Sequence, residues 1–157
     1  FVRQAFPHAI LLPLRVPPGP VALKLGRLLA EHLAAQGLHT VGLASTDLTH
    51  YGPAYDFEPK GRNAEAHEWA KRVNDGAFLA ACAEADPWAV LRTAAQRHNA
   101  CSPGAVAALR AWVGEGAQFE LLDHGTSREV QQALDADSAV PLNFVGYAGG
   151  IFRTAEA

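Results

Sequence analysis

Methionine is absent from this chain of 157 residues, and cysteine occurs only twice, at Cys82 and Cys101. Two thiols do not make a disulfide framework in a chain of this size, and no apolar signal segment precedes them. We therefore expect a reducing, cytoplasmic environment. The sequence opens at Phe1 and enters an apolar run at once, so we expect the chain to begin inside a domain whose N-terminal part is missing.

Long charged runs and long apolar runs are also lacking. The net charge is −3, and no run of lysine and arginine exceeds the pair Lys71-Arg72, which excludes a surface built for nucleic acid or an anionic membrane. Apolar stretches such as residues 9–14 and 105–109 are far shorter than the roughly 20 residues that span a bilayer. With 49% hydrophobic and 18% charged residues, the composition is that of one soluble globular domain and indicates no oligomeric state.

The start of the chain has a β-α-β pattern. Residues 8–16 form a continuous apolar run that ends in prolines and a glycine, which is typical of a strand buried on both faces. Pro20 opens a helix with leucines at helical spacing, and Gly37 stands where a C-terminal cap belongs. Residues 40–44 form a second short strand, and such a crossover normally joins parallel strands.

The rest of the chain alternates helical and strand patterns. Residues 51–61 hold glycines and prolines with aromatic residues between them and indicate a loop. Residues 63–83 are helical in composition, and Asp86-Pro87 and Ser102-Pro103 each open a further helix. The remaining predicted strands lie at residues 119–122 and 142–152. This order of elements predicts an α/β fold with a mostly parallel or mixed central sheet and helices on both faces.

Asp47 and His50 follow the second predicted strand directly, in the segment STDLTHYG. Ligand sites in open α/β sheets lie outside the carboxyl ends of strands. An aspartate and a histidine at this spacing can share a hydrogen bond that fixes the imidazole tautomer, which makes His50 a candidate general acid or base. The alternative is a simple turn in which Asp47 caps the backbone and His50 is exposed.

Cys101 precedes the predicted helix that opens at Ser102-Pro103. The helix dipole and the free N–H groups of the first turn favour a thiolate there, and a thiolate can bind a metal or act as a nucleophile. The alternative is a small apolar residue that fills a gap in the core. Cys82 lies inside a helical segment and is interpreted as packing. His98 and Asn99 lie close enough to Cys101 to support it, and the alternative for His98 is the polar end of a helix.

Four separated segments together resemble the Memo family, also called AmmeMemoRadiSam system protein B. ASTDLTHYG resembles the family's Ser-Ser/Thr-Asp-x-x-His-Tyr/Trp-Gly motif, and RHNACSPGAV resembles its cysteine-containing helix start. HGTSREV and NFVGYAGGIF resemble its Gly-Thr-Ser and closing Val-Gly-Tyr-Ala segments. In this chain Ser102 and Pro103 stand between the cysteine and Gly104, where the family usually has glycine directly after the cysteine. By this resemblance, residues 1–157 are the C-terminal part of a single Memo-like domain.

The resemblance implies a fold similar to the class III extradiol dioxygenases, with one pocket that contains Asp47, His50 and Cys101. It implies that Cys101 is a metal ligand and that Asp47 and His50 form the catalytic pair. Iron or copper would be held only together with two histidines of the family's N-terminal half, which this chain lacks, so we expect the chain to bind metal weakly or not at all. Further pocket or supporting residues by this reading are Ser45, Thr46, Tyr51, His98 and Asn99.

The resemblance favours metal-dependent redox chemistry on an unknown small substrate. A non-catalytic module that holds a peptide or protein in the same cleft is the alternative from another class. A true extradiol dioxygenase is a third, although a cysteine replaces the carboxylate of the usual iron triad of two histidines and one carboxylate. Fold alone does not decide among these three functions.

Overall fold

The computed structural model describes residues 2–137 and 139–154 of an α/β protein. The helices are α1 (Val2–Ala5), α2 (Pro20–Ala35), α3 (Ala64–Glu68), α4 (Gly76–Ala83), α5 (Trp88–Arg97), α6 (Pro103–Val113) and α7 (Ser127–Leu134). The strands are β1 (His50–Tyr51), β2 (Gln118–Thr126) and β3 (Phe144–Arg153). A 3-10 turn at Pro53–Tyr55 and a π-helical segment at Trp69–Asp75 complete the regular structure of these residues. The predicted α/β class is confirmed.

The three strands form one small sheet in the order β1-β3-β2, and both pairings are antiparallel. β1 pairs through His50 opposite Val145, and β2 pairs with β3 along nearly its whole length. Within the part of the chain that the structure describes, the sheet is therefore antiparallel, whereas the β-α-β pattern predicted parallel or mixed pairing.

The predicted strands at residues 8–16 and 40–44 are wrong for the described structure, where neither segment forms a regular strand. A strand needs a neighbouring strand to take its backbone hydrogen bonds. Neither segment pairs with β1, β2 or β3. Both expose apolar side chains instead: Ile10 is 99% exposed, Val41 81% and Leu43 77%.

The predicted helices are confirmed with small shifts at their ends. α2 begins at the predicted Pro20, and α6 begins at the predicted Pro103. These two helices pack closely, because a Cβ at Gly26 would lie only 2.1 Å from the carbonyl oxygen of Ala108. The main core lies between them and α4 and α5, and its buried residues include Ala22, Leu23, Leu48, Phe78, Cys82, Val90 and Ala107. None of the described helices is both long and apolar enough to cross a bilayer.

The sequence patterns did not predict α7. Its start is a capping box in which the Thr126 side chain accepts a hydrogen bond from the Glu129 backbone N–H, while the Glu129 side chain accepts one from Thr126 N–H. Threonine followed three residues later by glutamate is a sequence signal for a helix start. The signal was therefore present in the segment HGTSREV.

Candidate active site

The loop that carries Asp47 and His50 is held by strand β3. Leu48 N–H donates to the carbonyl oxygen of Gly146 at 2.9 Å, and Gly146 N–H donates to the carbonyl oxygen of Thr49 at 2.9 Å. Leu48 and Thr49 are buried, and His50 then starts β1. The loop is therefore fixed at its centre, while the side chains of Asp47 and His50 remain partly exposed, at 46% and 34%.

Cys101 lies directly beside this loop. Its N–H donates to the carbonyl oxygen of Asp47 at 3.1 Å, and its sulfur accepts the N–H of Asp47 at 3.3 Å. The next residue, Ser102, donates its N–H to the hydroxyl oxygen of Thr46 at 2.9 Å. Three hydrogen bonds thus join the Asp47 loop to the start of α6.

The structure brings together the three residues that the sequence singled out. His50 Nε2 lies 3.3 Å from Asp47 Oδ2, within hydrogen-bond distance. The ligand atoms of Asp47, His50 and Cys101 all lie within 4.8 Å of one another. Small side-chain rotations would bring such a set within reach of one ion, since metal bonds to these donors measure about 2.0–2.3 Å. The three side chains therefore fit a metal, with room for further ligands.

An open cleft of about 370 Å³ adjoins this cluster. Four of its lining residues are aromatic rings, and they form two pairs: His50 with Tyr55 at 4.8 Å between ring centroids, and Phe57 with His98 at 5.7 Å. The described residues that line it include Asp56 but no lysine or arginine. The cleft thus suits a flat or partly apolar molecule, and its described lining offers an anion no permanently charged cation.

Two lining residues adopt the left-handed backbone conformation. Asp56 has a φ of 50° and His98 a φ of 52°, and no other non-glycine residue in the described chain has a positive φ. This conformation costs free energy for residues with a side chain, and such residues occur often at binding sites. His98 ends α5, where its N–H donates to the carbonyl oxygen of Ala94. Its ring is thereby aimed at the cleft.

The other predicted pocket residues fall in different places. Ser45 is exposed, and Thr46 holds the start of α6. Tyr51 faces away from His50, because neighbouring strand residues point to opposite sides. Its ring stacks on Phe144 at 5.1 Å, and its hydroxyl donates to the carbonyl oxygen of Gly61. Asn99 is fully buried beneath the cleft and donates to the carbonyl oxygen of Asn74 at 2.7 Å.

Sequence reasoning missed several residues around the cluster. Tyr55 and Phe57 lie in the predicted loop, where their aromatic character was the only signal. Tyr147 stands in the closing strand, and burial raises its pKa, as do the nearby Asp47 and Tyr55. Beneath the site, Asp75 accepts a hydrogen bond from the backbone of Thr49 at 2.9 Å. Nothing in the sequence around Asp75 distinguishes it from a solvated helix residue.

The fold and the site together define an α/β protein with a cysteine, a histidine and an aspartate at one open cleft. Comparison with known proteins gives the family. A MEMO1 family protein of Thermococcus onnurineus is 33% identical over 136 residues, which cover 82% of this chain and 43% of the relative. MEMO1 family proteins of Thermococcus kodakarensis and Pyrococcus horikoshii are 31% and 30% identical, over 85% of this chain and 44% of each relative.

The chain belongs to the Memo family, as the motifs predicted. No family model matches it. It spans less than half the length of these curated relatives, with 43% to 44% of each covered.

Proposed function

We propose that this chain supplies the cysteine, the histidine and the aspartate of a metal-dependent redox site that acts on a small substrate. The observation that carries the proposal is the convergence of three different donor atoms, the sulfur of Cys101, a ring nitrogen of His50 and a carboxylate oxygen of Asp47, within 4.8 Å. The sulfur of Cys101 is exposed at the cleft, whereas Cys82 is buried in the core.

In the proposed site Cys101 is a ligand of iron or copper, which would supply one-electron chemistry when bound. Thiolate and imidazole are donors that both metals accept. The Asp47 N–H directed at the sulfur offsets part of its negative charge and orients it. By family resemblance, two histidines from outside this chain complete the ligand set, so the chain alone would bind metal weakly.

Asp47 and His50 form the proton-transfer pair of the proposal. When His50 Nε2 donates to the Asp47 carboxylate across the observed 3.3 Å, Nδ1 is the nitrogen that can accept a proton from a bound molecule. The carboxylate then stabilises the imidazolium that results. The absence of lysine and arginine from the described lining favours a neutral or cationic substrate over an anionic one.

We also propose that the whole protein has the fold of the class III extradiol dioxygenases, with a larger, mixed sheet than the described residues form. The support is the exposed apolar residues of segments 8–16 and 40–44: Ile10, Val41 and Leu43 would each leave water if the rest of the protein packed against them.

A second candidate function is a non-catalytic module that binds a peptide in the same cleft. The four aromatic rings of the lining favour it, because aromatic side chains provide large contact areas for peptides. Metal dependence separates the two candidates, since a peptide-binding module does not need a metal at Cys101.

Anaerobic titration with Co²⁺ tests the first candidate, because a thiolate-to-cobalt charge-transfer band reports the sulfur as a ligand. We expect a weak but saturable band with the wild-type chain. The band should vanish in Cys101→Ser and persist in His50→Gln, because His50 serves in proton transfer and is not a ligand in this proposal. Cys82→Ala is the matched control, since Cys82 is buried and its band contribution should be nil. A band that survives Cys101→Ser, or no band at any cobalt concentration, would contradict the proposal.

A further inference from the structure

A π-helical segment lies beneath the candidate site. The helical stretch from α3 to α4 is continuous, and its middle, Trp69–Asp75, is π-helical. A π segment holds more residues per turn than an α-helix and occurs frequently at functional sites. Here its last two residues, Asn74 and Asp75, are 1% and 0% exposed. Two adjacent buried polar residues in a helix require polar partners.

Both side chains find a partner in Thr49, the buried residue just before His50. One carboxylate oxygen of Asp75 accepts the backbone N–H of Thr49 at 2.9 Å. The side-chain amide of Asn74 donates to the Thr49 hydroxyl at 3.0 Å. Thr49 is fully buried and held from two directions. The backbone immediately before His50 is therefore fixed by the π-helical segment.

Asn74 also holds the segment that leads to Cys101. Its side-chain amide donates to the carbonyl oxygen of Arg97 at 3.1 Å. Its own carbonyl oxygen accepts the side-chain N–H of Asn99 at 2.7 Å. One residue thus connects the loop of His50 with the segment that ends at Cys101.

The second carboxylate oxygen of Asp75 lies against the sheet. It is 3.1 Å from His124 Nε2, and a Cβ at Gly146 would lie 2.1 Å from it. Only glycine therefore leaves room for the carboxylate at this point of β3. The contacts of Asp75 extend from the loop of His50 to both long strands, which makes its position rigid.

We infer that Asn74 and Asp75 are positioning residues that set the distance between the His50 ring and the Cys101 sulfur, an inference that rests on the proposed function of that cleft. Neither residue lines the cleft, so neither contacts a substrate. They act through Thr49 and through the backbone of residues 97–99. A buried polar network that served only stability would leave the chemistry of Cys101 unchanged once the protein is folded.

The test is the rate at which a neutral alkylating reagent modifies Cys101, measured across pH by mass spectrometry on the folded protein. Asp75→Leu removes the acceptor for Thr49 at similar side-chain volume. It should change the rate about fivefold and shift the pH profile, since loss of one hydrogen bond has effects of this size. Asp75→Asn keeps an oxygen for the Thr49 N–H and should restore the wild-type rate and pH profile. Leu23→Ala, which removes only core packing, should leave the rate and the pH profile at the wild-type level.

Milder variants keep the inference testable if Asp75→Leu does not fold. Thr49→Val retains the backbone N–H but removes the acceptor for Asn74, and Asn74→Leu removes both amide contacts. Both variants should shift the pH profile of Cys101 alkylation in the same direction, and the shift should be larger in Asn74→Leu. Unchanged profiles in these variants, or a shift of equal size in Leu23→Ala, would overturn the inference.

Alkylation requires no metal, so this readout is independent of the proposed redox function. A normal cobalt band with an unchanged alkylation profile in every variant would refute the positioning inference but not the metal site. An absent cobalt band with a shifted profile would refute the metal site and leave positioning supported.

Discussion

The backbone N–H of Asp47 donates a hydrogen bond to the sulfur of Cys101 at 3.3 Å, although the two residues are 54 positions apart in the chain. The contact joins the two segments that carry the candidate site. It also gives the Cys101 sulfur a hydrogen-bond donor that does not depend on a metal.

The two cysteines should differ in reactivity. Cys101 is exposed and hydrogen-bonded to Asp47 N–H, whereas Cys82 is 3% exposed and burial raises its pKa to about 12. We expect iodoacetamide to modify Cys101 at least about tenfold faster than Cys82 near neutral pH, because the thiolate is the reactive form. Peptide mapping of the folded wild type, with Cys82→Ala and Cys101→Ser as references, measures both rates. Equal rates would remove the chemical argument for Cys101.

His67 should make the fold sensitive to acid. Burial lowers its pKa from the ordinary value of 6.5, and Arg128 lowers it further, while Nε2 lies 2.9 Å from the Thr126 hydroxyl. A lowered pKa in the folded state contributes stability above pH 6.5 that is lost as the pH falls through the lowered pKa. The wild type should therefore lose free energy of unfolding relative to His67→Gln between about pH 7.5 and 5. Urea denaturation measures the free energy of unfolding of both proteins at each pH. The same difference between wild type and His67→Gln at both pH values would contradict this expectation.

Arg110 should be important for the stability of the fold. It is 1% exposed, and its guanidinium donates to the carbonyl oxygens of Glu84 and Gly114, at the ends of α4 and α6. Arg110→Leu removes the buried guanidinium together with these hydrogen bonds, and we expect a loss of roughly 3 kcal/mol in the free energy of unfolding. Arg72→Leu is the control, since Arg72 is exposed and its ion pair is with the exposed Glu68. Comparable losses in both variants would be inconsistent with this role for Arg110.

Gly26 should be intolerant of a side chain. An added Cβ would meet the Ala108 carbonyl oxygen at 2.1 Å, and that atom belongs to the backbone of α6. Gly26→Ala should therefore separate α2 from α6 and lower the free energy of unfolding by about 1–3 kcal/mol. Gly76→Ala meets nothing within 4 Å at the start of α4 and should be neutral or stabilising by up to about 1 kcal/mol. Thermal denaturation measures the stability of both variants. An equal change in stability in Gly26→Ala and Gly76→Ala would refute the prediction.

Much of the local structure could be predicted from the sequence. The helix starts at Pro20 and Pro103 depend on proline in the first turn, a preference that involves only neighbouring residues. The range of β3 was also predicted within two residues at each end. Residues 8–16 and 40–44 were mispredicted because an apolar pattern specifies burial, but a strand also requires a neighbour to pair with.

The sequence by itself determined the family, the residue types of the site and the order of the helices, since motifs and helix signals are read over a few neighbouring residues. Only the tertiary structure decided that Tyr51 faces away from His50, that Asp56 and His98 take the left-handed conformation, and that Asn74 and Asp75 hold Thr49. These relationships depend on contacts between residues far apart in the chain. Such contacts form only when the sheet and helices pack, and no local pattern specifies them.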